Sequence, residues 1–231
     1  NTPVRTDKTL IAIIRDAKNG QAQMQAMRLL ALVAENANHP QSKIAVAQVG
    51  LLVEDGILSA IIRDAKNGSA QMQAMKLLFL VAENTKHPQS KVAVSEVGLL
   101  VEDGILSAII RDSKSVHAQM QALRFLLNLA QKPGESPQSN QAEIELAELA
   151  SIGRLRAIIS ATQNTDLAAL CLRSTNWLAR PGSSHQSMAE AELRAWKDAG
   201  ILDAAGILVT SAASRGPSAS GSRLGIFISN E

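Results

Sequence analysis

Residues 10–57, LIAIIRDAKNGQAQMQAMRLLALVAENANHPQSKIAVAQVGLLVEDGI, run directly into residues 58–105, LSAIIRDAKNGSAQMQAMKLLFLVAENTKHPQSKVAVSEVGLLVEDGI. The two stretches are offset by 48 residues and differ at about nine positions, so this is a duplication at a period typical of repeat architectures. A weaker third copy begins at Leu106, and a fourth is recognisable from Arg156 through AIISATQNTDLAALCLRSTNWLAR after one added loop residue. Gly56, Gly104, Gly153 and Gly200 hold the same place in successive units, where one helix stops and the next starts. The units are read as 10–57, 58–105, 106–154 and 155–201, with a partial unit at 202–212.

Each unit separates into three apolar, helically periodic stretches. In the second copy, ILSAIIRDAK (57–66) is a short helix ended by Asn67-Gly68, and AQMQAMKLLFLVAEN (70–84) is a longer one. The stretch around Pro88, HPQSKVAVSEVGLLVED, supplies a third, with Gly98 tolerated inside it or marking a bend. Ser136-Pro137 makes a better cap-plus-proline start at the equivalent place. Composition agrees: 46% of residues are apolar but only 2% aromatic, so the core must be aliphatic. A charged fraction of 19% is too low for general disorder.

VEDGILSAII, KDAGILDAAGIL and especially ALRFLLNLA (122–130) resemble the armadillo-repeat family, over about residues 5–212. The resemblance implies an all-α, right-handed α-solenoid of about four three-helix repeats, with HEAT-like packing as a variant. It also implies a closing helix at 200–212 and, because the surplus over the family's unit falls in GLLVEDGI, a longer or bent first helix. Family members bind partners in a concave groove lined by the third helices, commonly through a tryptophan and an asparagine four residues apart. Here Arg28, Lys76, Arg124 and Arg173 fall at the tryptophan position, and Leu32, Leu80, Asn128 and Trp177 at the asparagine position. A row of cations would repel basic peptides, so the expected ligand is an extended acidic protein segment. Gln25, Gln73 and Gln121, one turn earlier, are expected to add hydrogen bonds to it. The bland reading is that these cations are the solvated face of an amphipathic helix.

Other functions find less support. The formal charge of +2 lacks the basic field of a nucleic-acid protein, and only Trp177 and Phe125 are aromatic candidates for stacking, with Phe125 expected in the core. Arg15, Arg63 and Arg111 each precede an aspartate (Asp16, Asp64, Asp112) and are read as locally paired structural residues. His39 and His87 are copies of one loop feature, while His117 and His185 stand in unrelated contexts, so neither a metal site nor a cofactor is expected. Glu54-Asp55 and Glu102-Asp103 read as helix-end carboxylates, and Cys171, in apolar LAALCLRS, as a small buried core residue. GPSASG (216–221) lacks the lysine of a phosphate-binding loop. No enzyme is expected.

The lone cysteine is compatible with cytoplasm or another reducing compartment, and no apolar run reaches a membrane-spanning length, so a soluble body is expected. A start at Asn1 rather than methionine is compatible with a processed form or a portion of a longer chain whose targeting segment is gone. Residues 213–231 read as a Ser/Gly/Pro-containing linker and an apolar tail whose Leu224, Ile226, Phe227 and Ile228 are expected to dock on a partner or on the repeats. Neither LIAII nor ILVTSAA caps its end of the array, which makes a structural subunit contacting large neighbours through ends, convex face and tail the alternative function.

Overall fold

In a computed structural model, residues 6–16, 19–36, 38–64, 68–84, 86–132 and 137–209 are described, and they form twelve α-helices. The chain divides into two compact units, Asn1–Ala142 and Glu143–Glu231.

The first unit contains α1 (Thr6–Asp16), α2 (Gly20–Glu35), α3 (Ser42–Glu54), α4 (Ile57–Arg63), α5 (Gly68–Glu83), α6 (Ser90–Glu102), α7 (Ile105–Asp112) and α8 (Val116–Ala130). The boundary falls within α9 (Pro137–Ser151). The second unit continues with α10 (Arg154–Ala161), α11 (Thr165–Leu178) and α12 (Gln186–Asp198). Short and long helices pack in pairs, α1 on α2, α4 on α5, α7 on α8 and α10 on α11. In the first unit each long helix also packs on the next, α2 on α5 and α5 on α8, while α3 packs on α6. The buried side chains are mostly leucine, alanine, isoleucine and valine, as an aliphatic composition requires.

The glycine punctuation has a conformational cause. Gly56, Gly104 and Gly153 N-cap α4, α7 and α10 with φ of +66°, +65° and +68°, a left-handed region costly to any residue with a Cβ. At Gly50 and Gly98 the reason is space. The helices α3 and α6 run unbroken through them as 13-residue helices. A Cβ on Gly50 would stand 2.6 Å from His87 Cε1 and 2.8 Å from Gln89 Oε1, and one on Gly98 would stand 2.8 Å from Gln138 Cγ. Each interior glycine is thus where the next copy comes down onto the helix, through the turn before α6 at Gly50 and through the first turn of α9 at Gly98.

Three further devices recur with the repeat. Gln23, Gln71 and Gln119 donate from Nε2 to the carbonyls of Ile14, Ile62 and Ile110, at 3.0, 2.9 and 3.1 Å, so the long helix supplies a donor to the C-terminal carbonyls of the short helix before it. Ser42, Ser90 and Ser139 donate from Oγ to Ala34, Ala82 and Ala130, tying the start of a first helix to the end of a long one. Arg15 pairs with Asp55 and Arg63 with Asp103, forty residues on, rather than with the adjacent Asp16 and Asp64. In the third copy Ile152 stands where the partner aspartate would be, and Arg111 turns to its neighbour Asp112 at 3.3 Å.

The glutamine device predicts a measurable loss. Gln71 and Ile62 are both buried, so Gln71→Met leaves a buried carbonyl without its donor and should cost about 1–3 kcal/mol, read as a lower urea midpoint at unchanged m. Gln25→Met, on an exposed side chain, should stay within about 0.5 kcal/mol.

Two boundaries differ from the sequence reading. The short helix α4 ends at Arg63, and Gly68 opens α5 instead of closing α4. No closing helix forms across 201–209; Leu202 and Leu208 make an antiparallel bridge around a tight turn. Asp203 Oδ1 accepts the Ile207 N–H at 2.9 Å and Gly206 adopts φ +81°, so Asp and Gly turn chemistry overrides the helical preference of Ala204-Ala205.

Candidate functional site

The cation row begins on three helices that pack consecutively. Arg28 lies on α2, Lys76 on α5 and Arg124 on α8, at the same place in each long helix. Arg28 and Arg124 are exposed, and neither has an ion-pair partner among the described residues. Lys76 Nζ lies 2.8 Å from Glu35 Oε1 of α2, with both side chains more than a third exposed. A pair so placed is worth at most about 1 kcal/mol and would yield to a competing carboxylate. Arg173 is exposed on α11, in the second unit.

One turn further along each long helix, Leu32 is 55% exposed and Leu80 and Asn128 are half-buried. The face therefore alternates cation with apolar or amide contact. The glutamines expected beside the cations divide. Gln25 is exposed and Gln121 half-buried, but Gln73 is only 9% exposed, because α5 has a long helix packed on each side. It is not available to a ligand. The glutamines that carry hydrogen bonds are those two residues earlier, where no sequence period distinguishes a side chain aimed at solvent from one aimed at a carbonyl.

In the second unit Trp177 is half-buried on α11 and covered on one face by Arg180, whose Cζ lies 3.6 Å from the ring centroid. Arg180 also donates to the Trp177 carbonyl at 2.9 Å and to both oxygens of Glu143 at 3.2 and 3.1 Å. Ser183 Oγ donates to the same carboxylate at 3.1 Å. That face of the indole is occupied by a cation and is not an open stacking platform. Phe125 is buried against Phe79, with ring centroids 4.2 Å apart.

The histidine loop has a structural task. His87 is 8% exposed; its Nδ1 accepts from the Gln89 N–H at 3.1 Å, so Nε2 carries the ring proton and donates to the Val46 carbonyl at 3.1 Å. In the last copy Ser183 stands at the histidine position, accepts from the His185 N–H at 3.2 Å and donates to Glu143, which stands at the position of Val46. No group of three or more His, Cys, Asp or Glu that could hold a metal ion occurs among the described residues.

Cys171 is fully buried on α11, and burial pushes its thiol up to about 12 from an ordinary value of 9.0. A thiol that stays protonated is a poor nucleophile. Because the unfolded thiol ionises near 9 and the folded one near 12, the unfolded state is favoured as pH rises through that window. Wild type should therefore lose stability relative to Cys171→Ala by about 1 kcal/mol per pH unit above 9, measured by urea unfolding at matched pH.

A depression between α1 and α3 is lined by Ile11, Ala12, Arg15, Asp16, Gln48, Leu51 and Asp55, and of its three charges Arg15 and Asp55 pair with each other. No described helix is by itself long and apolar enough to cross a membrane. Residues Leu224, Ile226, Phe227 and Ile228 lie outside the described residues. Comparison with family models, curated proteins and solved structures returns no match.

Proposed function

We propose that this chain is a non-catalytic, armadillo-like α-solenoid that binds an extended acidic protein segment along the face of its long helices. The supporting observation is the placement of Arg28, Lys76 and Arg124 at one position on three consecutively packed helices, with Arg28 and Arg124 unpaired among the described residues. Carboxylates spaced along an extended chain would meet the cations through charge-assisted hydrogen bonds, and apolar side chains between them would meet Leu32 and Leu80.

The test uses a fluorescent peptide of alternating glutamate and leucine, with a lysine-leucine peptide as control. The acidic peptide should bind with an affinity that falls as salt is raised. Combined Arg28→Glu, Lys76→Glu and Arg124→Glu substitution should weaken it by about tenfold or more while helicity and melting hold, since the three side chains are surface charges. Absence of binding, or equal affinity for both peptides, would reject the groove reading.

A second reading, a structural subunit contacting neighbours through its outer face, rests on a different row. Ile44 and Leu51 on α3, and their counterparts Val92 and Leu99 on α6, are 47%, 50%, 40% and 43% exposed. An acidic-peptide affinity indifferent to the charge reversals would favour it.

A further inference from the structure

The repeats show one surface in three successive settings. Phe125 of α8 touches the preceding long helix directly, through Phe79 of α5. Its counterpart Leu77, on the helix that packs on α2, is fully buried. The next counterpart, Leu29 of α2, is 53% exposed. His87 is buried with its Nε2 on the Val46 carbonyl beside Gly50. Its counterpart His39 keeps the local bond, accepting from the Gln41 N–H at 3.2 Å, yet is only half-buried and has no Nε2 partner among the described residues. Gln25 is exposed where Gln73 is buried.

We propose that the face formed by Gln25, Leu29 and His39 docks a further helical repeat of this same class, one whose first helix carries glycine where α3 carries Gly50. The occupant is fixed by continuity with the packing inside the chain. All three residues have a counterpart one copy along that is buried, and Phe125 on Phe79 and His87 on α3 show that the preceding repeat does the covering. With Nδ1 accepting from Gln41, the His39 ring is left with an Nε2 proton to offer an acceptor. The carbonyl four residues before a helical glycine supplies it in the His87 joint. Head-to-tail stacking of a second copy does not fit, because α12 carries Arg194 at the glycine position. This surface adjoins the cation row at Gln25, but the peptide test reads the charges of Arg28, Lys76 and Arg124 and the labelling test reads the cover over Leu29, so either can fail without the other.

The experiment joins residues 10–57 a second time ahead of residue 10, in a chain that carries Leu29→Cys only in its original repeat. Cys171 is buried, so the new thiol is the accessible one. Maleimide labelling should be fast in the Leu29→Cys chain alone and about tenfold or more slower once the added repeat covers it. Gly50→Leu in the added repeat alone should restore the fast rate. Unchanged labelling in the extended chain overturns the proposal, whether or not circular dichroism shows the added repeat to be helical, since one repeat gains its order by docking. A dimer of the unmodified chain in sedimentation, dissociated by Leu29→Lys, also overturns it by showing that a second copy covers the face.

Discussion

Trp196→Ala should lower the stability of the second unit by about 3–5 kcal/mol, seen as an earlier urea transition in helical ellipticity. Trp196 is fully buried on α12, and it is the largest such side chain. Its Nε1 donates to Glu192 Oε1 at 2.8 Å, and its carbonyl accepts the Ile201 N–H at 2.9 Å. Truncation opens a cavity and also removes a hydrogen bond from a carboxylate that is only 9% exposed. Arg156, 3.5 Å from the same oxygen, would then be its remaining charged partner. Trp196→Phe separates the two effects: most of the packing is kept and only the indole donor is lost, for about 1–3 kcal/mol. Trp177 remains as a fluorescent reporter in both variants. Equal costs for the alanine and phenylalanine variants would mean that the hydrogen bond, and not the filled volume, dominates.

Gly50→Leu should cost about 2–4 kcal/mol, combining overpacking with the loss of the His87 contact. Alanine at the same place is the informative control. It gains about 1 kcal/mol of helical preference and loses a comparable amount by displacing His87 and Gln89, so its net effect should be near zero. If the clash lies where the geometry puts it, His87→Ala should relieve part of the leucine penalty, with a coupling of about 1 kcal/mol in a double-mutant cycle. Strict additivity of the two substitutions would place the damage elsewhere.

The repeat, the helical class and the turn glycines were all legible in the sequence, because each is fixed within a few residues of chain. Gly56, Gly104, Gly153 and Gly200 stand 48, 49 and 47 residues apart, and all have positive φ. What was not legible depends on what lies across an interface. Gly50 and Gly98 resemble any helix-interior glycine until the segment of the next copy above them is in place. Gln71 and Gln73 are two residues apart in the same apolar context, yet one bonds a carbonyl at 2.9 Å and the other is simply covered. Arg15 and Arg63 have an aspartate next in sequence and ignore it for one forty residues away, and only the third dimension chooses between them. The missing helix after Gly200 is a different failure: the Asp203 to Gly206 turn was visible in the sequence but was outweighed by the resemblance to a repeat. Of the candidate site, the cation positions were readable from alignment of the copies, whereas the burial of Gln73 and the covering of Trp177 were not.

The joints between copies are keyed differently. One sets a histidine ring beside a glutamine over Gly50, one a glutamine over Gly98, and one a serine hydroxyl on the Glu143 carboxylate. A recombination between the two near-identical copies would add or remove 48 residues and leave every joint with its proper mate. A deletion that brought the last copy onto the second would instead set Ser183 against α6, which carries Val94 at the Glu143 position. The first two copies are therefore free to multiply or merge, whereas the last is tied to the helix before it.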